Sequence, residues 1–394
     1  MRVNWISSWR RWLRACPSED AAGLACMKKL IFGRCYSFSS EANQQALLAE
    51  CLALYADAGS IEPEVEIRIV QAISKRSPSS INPKAHRKFG HGMLTSFPAV
   101  DVYWGWSGGG CLEIEVALKI RHGIKHQIQK LLSIEYASDV ESFEQILHEF
   151  VLVPSAYFFN DVAPIHAACV TVDGNACLLA GTGGAGKSAA MLALRQNEKV
   201  GFVSDDIVIV SATTLHAYAN MAWPKIYGYN CAGNALKGEI LAGRGWIDKA
   251  HFNIKSWMNS ASVRRKIRPD RLYHHVESTS VPLSRLYYAV REDVPDIRVT
   301  HLGVPSAVEM TIDVIRAEYS IFHDHLYWEQ YNAAATGTTA MLTMEGVIAN
   351  WRLVLSKCLA GVACFRVSIP FDMDQAVYRN SMVGILVAGA VTQP

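Results

Sequence analysis

Residues 165–210 read IHAACVTVDGNACLLAGTGGAGKSAAMLALRQNEKVGFVSDDIVIV. Within this stretch Gly181-Thr182-Gly183-Gly184-Ala185-Gly186-Lys187-Ser188 fits the phosphate-loop pattern G-x-x-x-x-G-K-[ST] at every fixed position. The spacing has a chemical reason. Glycines let the backbone adopt conformations closed to side chains, so successive N–H groups can turn inward around an anion. Lys187 would then place its ammonium on the β- and γ-phosphates of a bound nucleotide, and the Ser188 hydroxyl would ligate Mg²⁺. The surroundings agree. Ala176–Ala180 reads as a short buried strand, and Ala189–Leu194 as a helix whose N-terminus adds partial positive charge at the phosphates.

Two weaker signals flank the loop. Gly201-Phe202-Val203-Ser204-Asp205-Asp206 precedes the β-branched run Ile207–Val210. Adjacent carboxylates in an apolar strand are costly to bury unless they meet a cation or a hydrogen-bond donor, and a magnesium–nucleotide complex supplies both. A lone Asp-Asp more often marks a polar strand end, but this pair follows Lys187 after only one helix. His166 stands just before the strand Ala167–Val172 and taken alone is an ordinary core histidine.

Together, His-Ala-x-x-Val, GTGGAGKS and Ser-Asp-Asp before an apolar strand resemble the HPr kinase/phosphorylase superfamily. This is a phosphate-loop kinase lineage whose fold is related to phosphoenolpyruvate carboxykinase. The nearest likeness is to diverged HPr kinase-like proteins, some of which act in peptide modification such as lasso peptide biosynthesis. The strong part covers residues 164–210, with a fainter echo through Ala222-Trp223-Pro224-Lys225 and Val281–Tyr287. The resemblance implies an ATP-dependent serine kinase in which Asp205 is the general base. It places Asp206 beside Ser188 on Mg²⁺ and His166 beside the transferred phosphoryl group. It also implies an oligomer. The glutamate-bearing segment that follows the aspartate pair in true HPr kinases is missing, as is the stretch for HPr recognition and dephosphorylation. Kinase chemistry is therefore expected on another acceptor, a peptide or protein serine. A sugar or alcohol kinase, or a regulatory ATPase with no acceptor, remains open because the motif reports only the donor.

The 394 residues are half hydrophobic and 19% charged, which places the chain among globular proteins of one or two domains. A net charge of +2 is too small to imply nucleic-acid binding. The 10 cysteines show neither zinc spacing nor a compact disulfide framework, so reduced thiols in a cytoplasmic protein are expected. No run reaches the ~20 apolar residues that span a bilayer, and Met382–Val391 reads as a buried element of about half that length.

Along the chain, residues 1–40 hold seven Arg or Lys against two acids, with Trp5, Ile6, Trp9, Trp12, Leu13 and Cys16 at helical spacing. Packing on the protein's own body, or disorder, is the favoured reading of this basic amphipathic segment over membrane contact. Residues 41–150 read as a smaller α+β lobe. It holds a helix from Glu41, a strand at 65–73, a basic loop over 75–92, a hairpin across Ser107–Gly110 and a helix over 140–150. Residues 151–394 read as the α/β phosphate-loop domain of HPr kinase/carboxykinase type. In it, Lys225 reads as a surface lysine in preference to a contact of the phosphates or acceptor. Arg264–Lys266 with Arg268 reads as a solvated basic cluster in preference to a neutraliser of substrate or phosphoryl charge, and His323-Asp324-His325 as a poor metal site.

Overall fold

The computed structural model describes residues 26–74, 77–119, 128, 130–231 and 234–389. The basic N-terminal segment therefore lies outside the described residues up to Ala25. From Met27 to Ser40 the chain forms the first two strands of a sheet.

That sheet contains β1 (Met27–Ile31), β2 (Arg34–Ser40), β3 (Val65–Val70), β4 (Ser80–Ile81), β5 (His86–Phe89), β6 (Gly92–Ser96), β7 (Val100–Trp106) and β8 (Leu112–Leu118). Its order is β1-β2-β3-β8-β7-β6-β5-β4, parallel across β2-β3-β8 and antiparallel elsewhere. The helix Ala42–Leu52 makes the crossover between the parallel strands β2 and β3, burying Leu48, Cys51 and Leu52. The hairpin expected across Ser107–Gly110 is present as β7 and β8.

The basic loop expected over 75–92 is corrected in part, because it contains β4 and β5. His86 and Lys88 point inward from β5 to Glu329, on the helix Ser320–Thr336. A strand with alternating charges reads as loop until its counter-charge is known, and here the counter-charge lies more than two hundred residues away.

The second sheet is built around β9 (Val162–Val172), an 11-residue strand buried at every position. Such a strand reads as a continuous apolar run because both faces are covered. β10 (Asn175–Ala180) pairs antiparallel with β9 on one side. On the other side run β11 (Val200–Ser204) and β12 (Ile207–Ser211), both antiparallel to β9. They form one strand interrupted at Asp205-Asp206. β13 (His216–Tyr218) follows, then the separate ribbon of β14 (Lys225–Tyr227) and β15 (Arg264–Lys266). β16 (His275–Val276), β17 (Ser280–Glu292), β18 (Arg298–His301) and β19 (Ala363–Pro370) complete the sheet. β17 bonds β13 with its first residues and β10 with its middle, so the pairings β9-β10-β17-β13-β12-β9 close a ring.

Helices join the two sheets. The segment Asp139–Phe158 passes from an α-helical turn through a π-helical stretch, Ile146–Leu152, to a final 3₁₀ turn. Trp104 of β7 stacks on Phe158 at 5.3 Å and meets Phe322 edge-on at 5.7 Å, while Tyr157 meets Trp351 edge-on at 4.8 Å. These aromatics make the interior of the sheets and helices one continuous apolar core. The protein is thus a mixed α/β structure with mixed sheets. Among the described residues no helix is long and apolar enough to cross a membrane. Of the apolar C-terminal run, residues 382–388 belong to the helix Gln375–Ala388, which buries Tyr378, Met382 and Leu386, and residues 390–391 lie outside the described residues.

Candidate active site

β10 sits between β9 and β17 until Ala180, where both ladders stop and the glycine loop begins. Gly181 has φ +142°, and a Cβ there would approach the Ala289 carbonyl oxygen to 2.7 Å. Gly186 caps the helix Lys187–Leu194 at φ +105°. A side chain at Gly186 would also meet Tyr378 Oη at 2.5 Å. Gly186→Ala therefore combines a left-handed backbone with a clash against a buried ring. It should destabilise the fold by about 1–3 kcal/mol in urea unfolding and weaken nucleotide binding in titration.

Lys187 is buried and donates to two loop carbonyls, Gly181 O at 2.6 Å and Thr182 O at 3.1 Å. Burial draws its ammonium below the ordinary lysine value, opposed by Asp206, Glu318 and Asp205. The Gly183 N–H donates at 3.0 Å to Glu318, at the end of the helix Val304–Glu318. A loop amide bound to a carboxylate oxygen shows the anion-accepting direction of these N–H groups.

The aspartate pair owes its position to the strand interruption. Ser204 Oγ donates to Ile207 O at 2.7 Å and Asn220 Nδ2 to the same oxygen at 2.9 Å, fastening the ends of the bulge. Asp205 and Asp206 project there beside His166, whose residue pairs with Ile207 in the ladder. His166 Nδ1 lies 3.5 Å from Asp206 Oδ1 yet has no hydrogen-bond partner. Burial and the neighbouring Asp206 charge push Asp205 up to about 6. Burial acts on Asp206 in the same sense, but Lys225, His166 and Lys187 outweigh it and hold that carboxyl below its usual value. The imidazole of His166 is held below its ordinary value by burial, with Lys187 and Lys225 acting in the same direction. The two carboxyls thus have different acidities, which is how one pair can divide into a proton acceptor and a metal ligand.

Both elements face a cleft of about 580 Å³, lined by His166, Gly183, Gly184, Gly186, Lys187, Ser188, Asp205 and Asp206. Gly181, Thr182 and Ala185 complete the loop around it. The opposite wall comes from the π-helical segment and from β14 and β15. Lys225 bonds Glu149 of the π-helical segment and stands 4.0 Å from Asp206 Oδ2. Although burial lowers it, Glu149 and Asp206 keep its ammonium above the ordinary lysine value. Lys225 is a cleft residue, which corrects its reading as a surface lysine. Behind it Glu144 meets His148 at 3.1 Å, Lys266 at 2.9 Å and the Trp223 N–H at 2.8 Å. Burial raises the Glu144 carboxyl, but these partners bring it down to about 2.

The basic cluster is likewise not a solvated face. Arg264 and Lys266 line the cleft, Arg265 is buried on Asp248, and Arg268 pairs with Asp270. His323 and His325 are buried, His323 against Tyr157 Oη at 3.0 Å and His325 against His86 at 3.4 Å. The sequence reading missed Glu149, Glu318 and Tyr378. Each comes from a helical segment distant in sequence, and no local pattern marks them.

Among the described residues no three His, Cys, Asp or Glu side chains converge as a preformed metal cage. Mg²⁺ does not require one, because it keeps waters and combines one or two protein oxygens with phosphate oxygens. The Asp206 side chain is 44% exposed and lines the same cleft as Ser188, and these oxygens are a donor set suited to that ion. Tyr378 Oη, like His166 Nδ1, is buried at the cleft without a partner. Orphaned polar atoms on both sides of the loop fit a polar ligand seated between them. No family model matches the chain, and no curated protein matches it.

Proposed function

We propose that the protein is an HPr kinase-like phosphotransferase. In this reading it has the fold of the HPr kinase/carboxykinase lineage and transfers the γ-phosphoryl group of ATP to a hydroxyl, a serine of a peptide or protein. The observation that carries this reading is the convergence of Lys187, Ser188, Asp205, Asp206 and His166 on one cleft with a charged opposite wall.

The chemistry follows from the residues. Transfer forms a bond between the acceptor oxygen and the γ-phosphorus and breaks the bond from that phosphorus to the ADP oxygen. The acceptor proton passes to Asp205, whose carboxyl near 6 is ionised at neutral pH and still basic enough to take a proton. Lys187 exchanges the Gly181 and Thr182 carbonyls for phosphate oxygens, and the loop N–H groups hold the rest of the phosphate chain. Mg²⁺, held by Ser188 and Asp206, supplies charge neutralisation on the phosphates. Lys225 and Arg264 border the acceptor side, where they offset developing negative charge. Positioning and electrostatics account for the rate, with no covalent enzyme intermediate.

Lys187→Ala tests the donor side. Titration with Mg–ATP should show affinity lowered at least roughly tenfold, and turnover should fall further, because the ammonium serves bound and reacting phosphate alike. Unchanged nucleotide affinity in this variant would reject the donor assignment. Phosphate release without any modified acceptor would favour the regulatory ATPase.

A further inference from the structure

The helix Trp246–Met258 is mounted with its polarity reversed. It buries Asp248, His251 and Phe252. Asp248 accepts from Arg265 Nε at 2.6 Å and from Arg244 Nη1 at 2.9 Å, and His251 Nδ1 lies 2.9 Å from Arg265 Nη2. Apart from Phe252, its large apolar side chains point outward. Trp246 is 79% exposed, Ile254 58%, Trp257 87% and Met258 71%, with Ile247 also exposed. At 100° per residue these five occupy one arc of roughly 120° on the helix. Lys255 donates to the carbonyls of Leu132 and Ser133, which brings the 74%-exposed Leu132 alongside the same ledge. Soluble surfaces carry scattered apolar residues, but a continuous ledge of this kind marks an interaction site.

We propose that this ledge docks on an anionic lipid surface. The charges around it decide for that occupant. Most acids nearby are engaged, Asp248 by Arg244 and Arg265, Glu141 by Arg244, Glu135 by Arg264 and Glu239 by Arg195, with Glu50 as the further acid beside the ledge. The cation Lys249 is exposed on the helix itself, and among the described residues Lys255 bonds only carbonyls. Arg271 lines a hollow of about 620 Å³ whose wall includes Trp246 and Ile247; Lys130 lines it too, 3.9 Å from Asp139. The rim is therefore cationic in net effect and complements a negatively charged surface. Trp246 and Ile247 form part of the wall of that hollow, while the Ile254, Trp257 and Met258 tips stand exposed and suit a soft interface that closes around them. Tryptophan with lysine on one helix is the composition of an element lying in the headgroup region. The helix ends at Met258, and beyond the extended Asn259 a short 3₁₀ turn carries Ala261, which lines the cleft.

The test is sedimentation of the full chain with phosphatidylcholine vesicles, with and without about one third phosphatidylserine. The chain should bind the anionic vesicles with a blue shift of tryptophan emission. The variant Trp246→Ser/Ile254→Ser/Trp257→Ser should bind at least roughly tenfold more weakly, with its unfolding midpoint preserved because these tips lie in solvent. The variant also separates this face from the tryptophans of the N-terminal segment. Failure of the wild-type chain to bind, or equal binding by the variant, would overturn the proposal. So would a wild-type dimer that the same substitutions dissociate, which would assign the ledge to a second copy.

Discussion

Asp205→Asn should abolish turnover while leaving Mg–ATP affinity within about twofold of the wild type. The substituted side chain keeps its size and can still accept the Lys225 backbone N–H, so the strand interruption stays intact. It cannot accept a proton, and loss of a positioned general base costs on the order of 10²–10⁴ in rate. The same group sets a pH limit. Asp205 must be ionised to act, so the rate of the wild type should fall as pH drops through about 6. Stability moves the opposite way. The folded carboxyl is raised above its unfolded value, so folding favours the protonated form and ionised Asp205 costs stability above pH 6. Asp205→Asn should therefore gain on the order of 1–3 kcal/mol at pH 8 and lose that advantage below pH 4. A dead enzyme that is more stable at alkaline pH would be hard to explain by misfolding.

The largest stability loss is expected at Glu329. This fully buried carboxylate accepts from Lys88 Nζ at 2.6 Å and from the Met341 N–H at 3.0 Å, and it lies 3.1 Å from His86 Nε2. Burial raises its carboxyl, but these partners outweigh burial and hold it below the usual glutamate value. Glu329→Ala leaves the Lys88 ammonium buried without a counter-charge and should cost about 3–5 kcal/mol in urea unfolding. Lys88→Met combined with Glu329→Leu should recover most of that loss, because removing both charges removes the desolvation penalty as well. The depressed carboxyl stabilises the fold above the unfolded glutamate value, so its contribution fades as pH falls below about 4.5. Equal stability of Glu329→Ala and the wild type at pH 7 would show that the cluster does not hold β5 to the helix.

The legible parts of this chain were those whose signal is local. The glycine loop announces itself because eight consecutive residues must satisfy one backbone path, and β10 and the following helix carry their own apolar patterns. The Asp205-Asp206 pair was visible as charge in an apolar run. What the run could not show is that β11 and β12 are one strand broken at that point, with Ser204 and Asn220 fastening the break. Lys225 looked like a surface lysine because its partner Glu149 lies on a π-helical turn more than seventy residues earlier. β5 looked like loop for the same reason, since only Glu329 makes a buried His86 and Lys88 acceptable. In these last two cases the missed feature is a long-range charge pair, and no window of sequence contains both partners.

The most direct measurement is intact-mass analysis of candidate acceptors after incubation with Mg–ATP, run in parallel with Lys187→Ala and Asp205→Asn. The acceptors should include ribosomal precursor peptides and small alcohols. A phosphoryl mass increment on a peptide with the wild type, absent with both variants, is the expected result. A phosphorylated peptide formed equally well by Asp205→Asn would contradict the assignment of the cleft and its base.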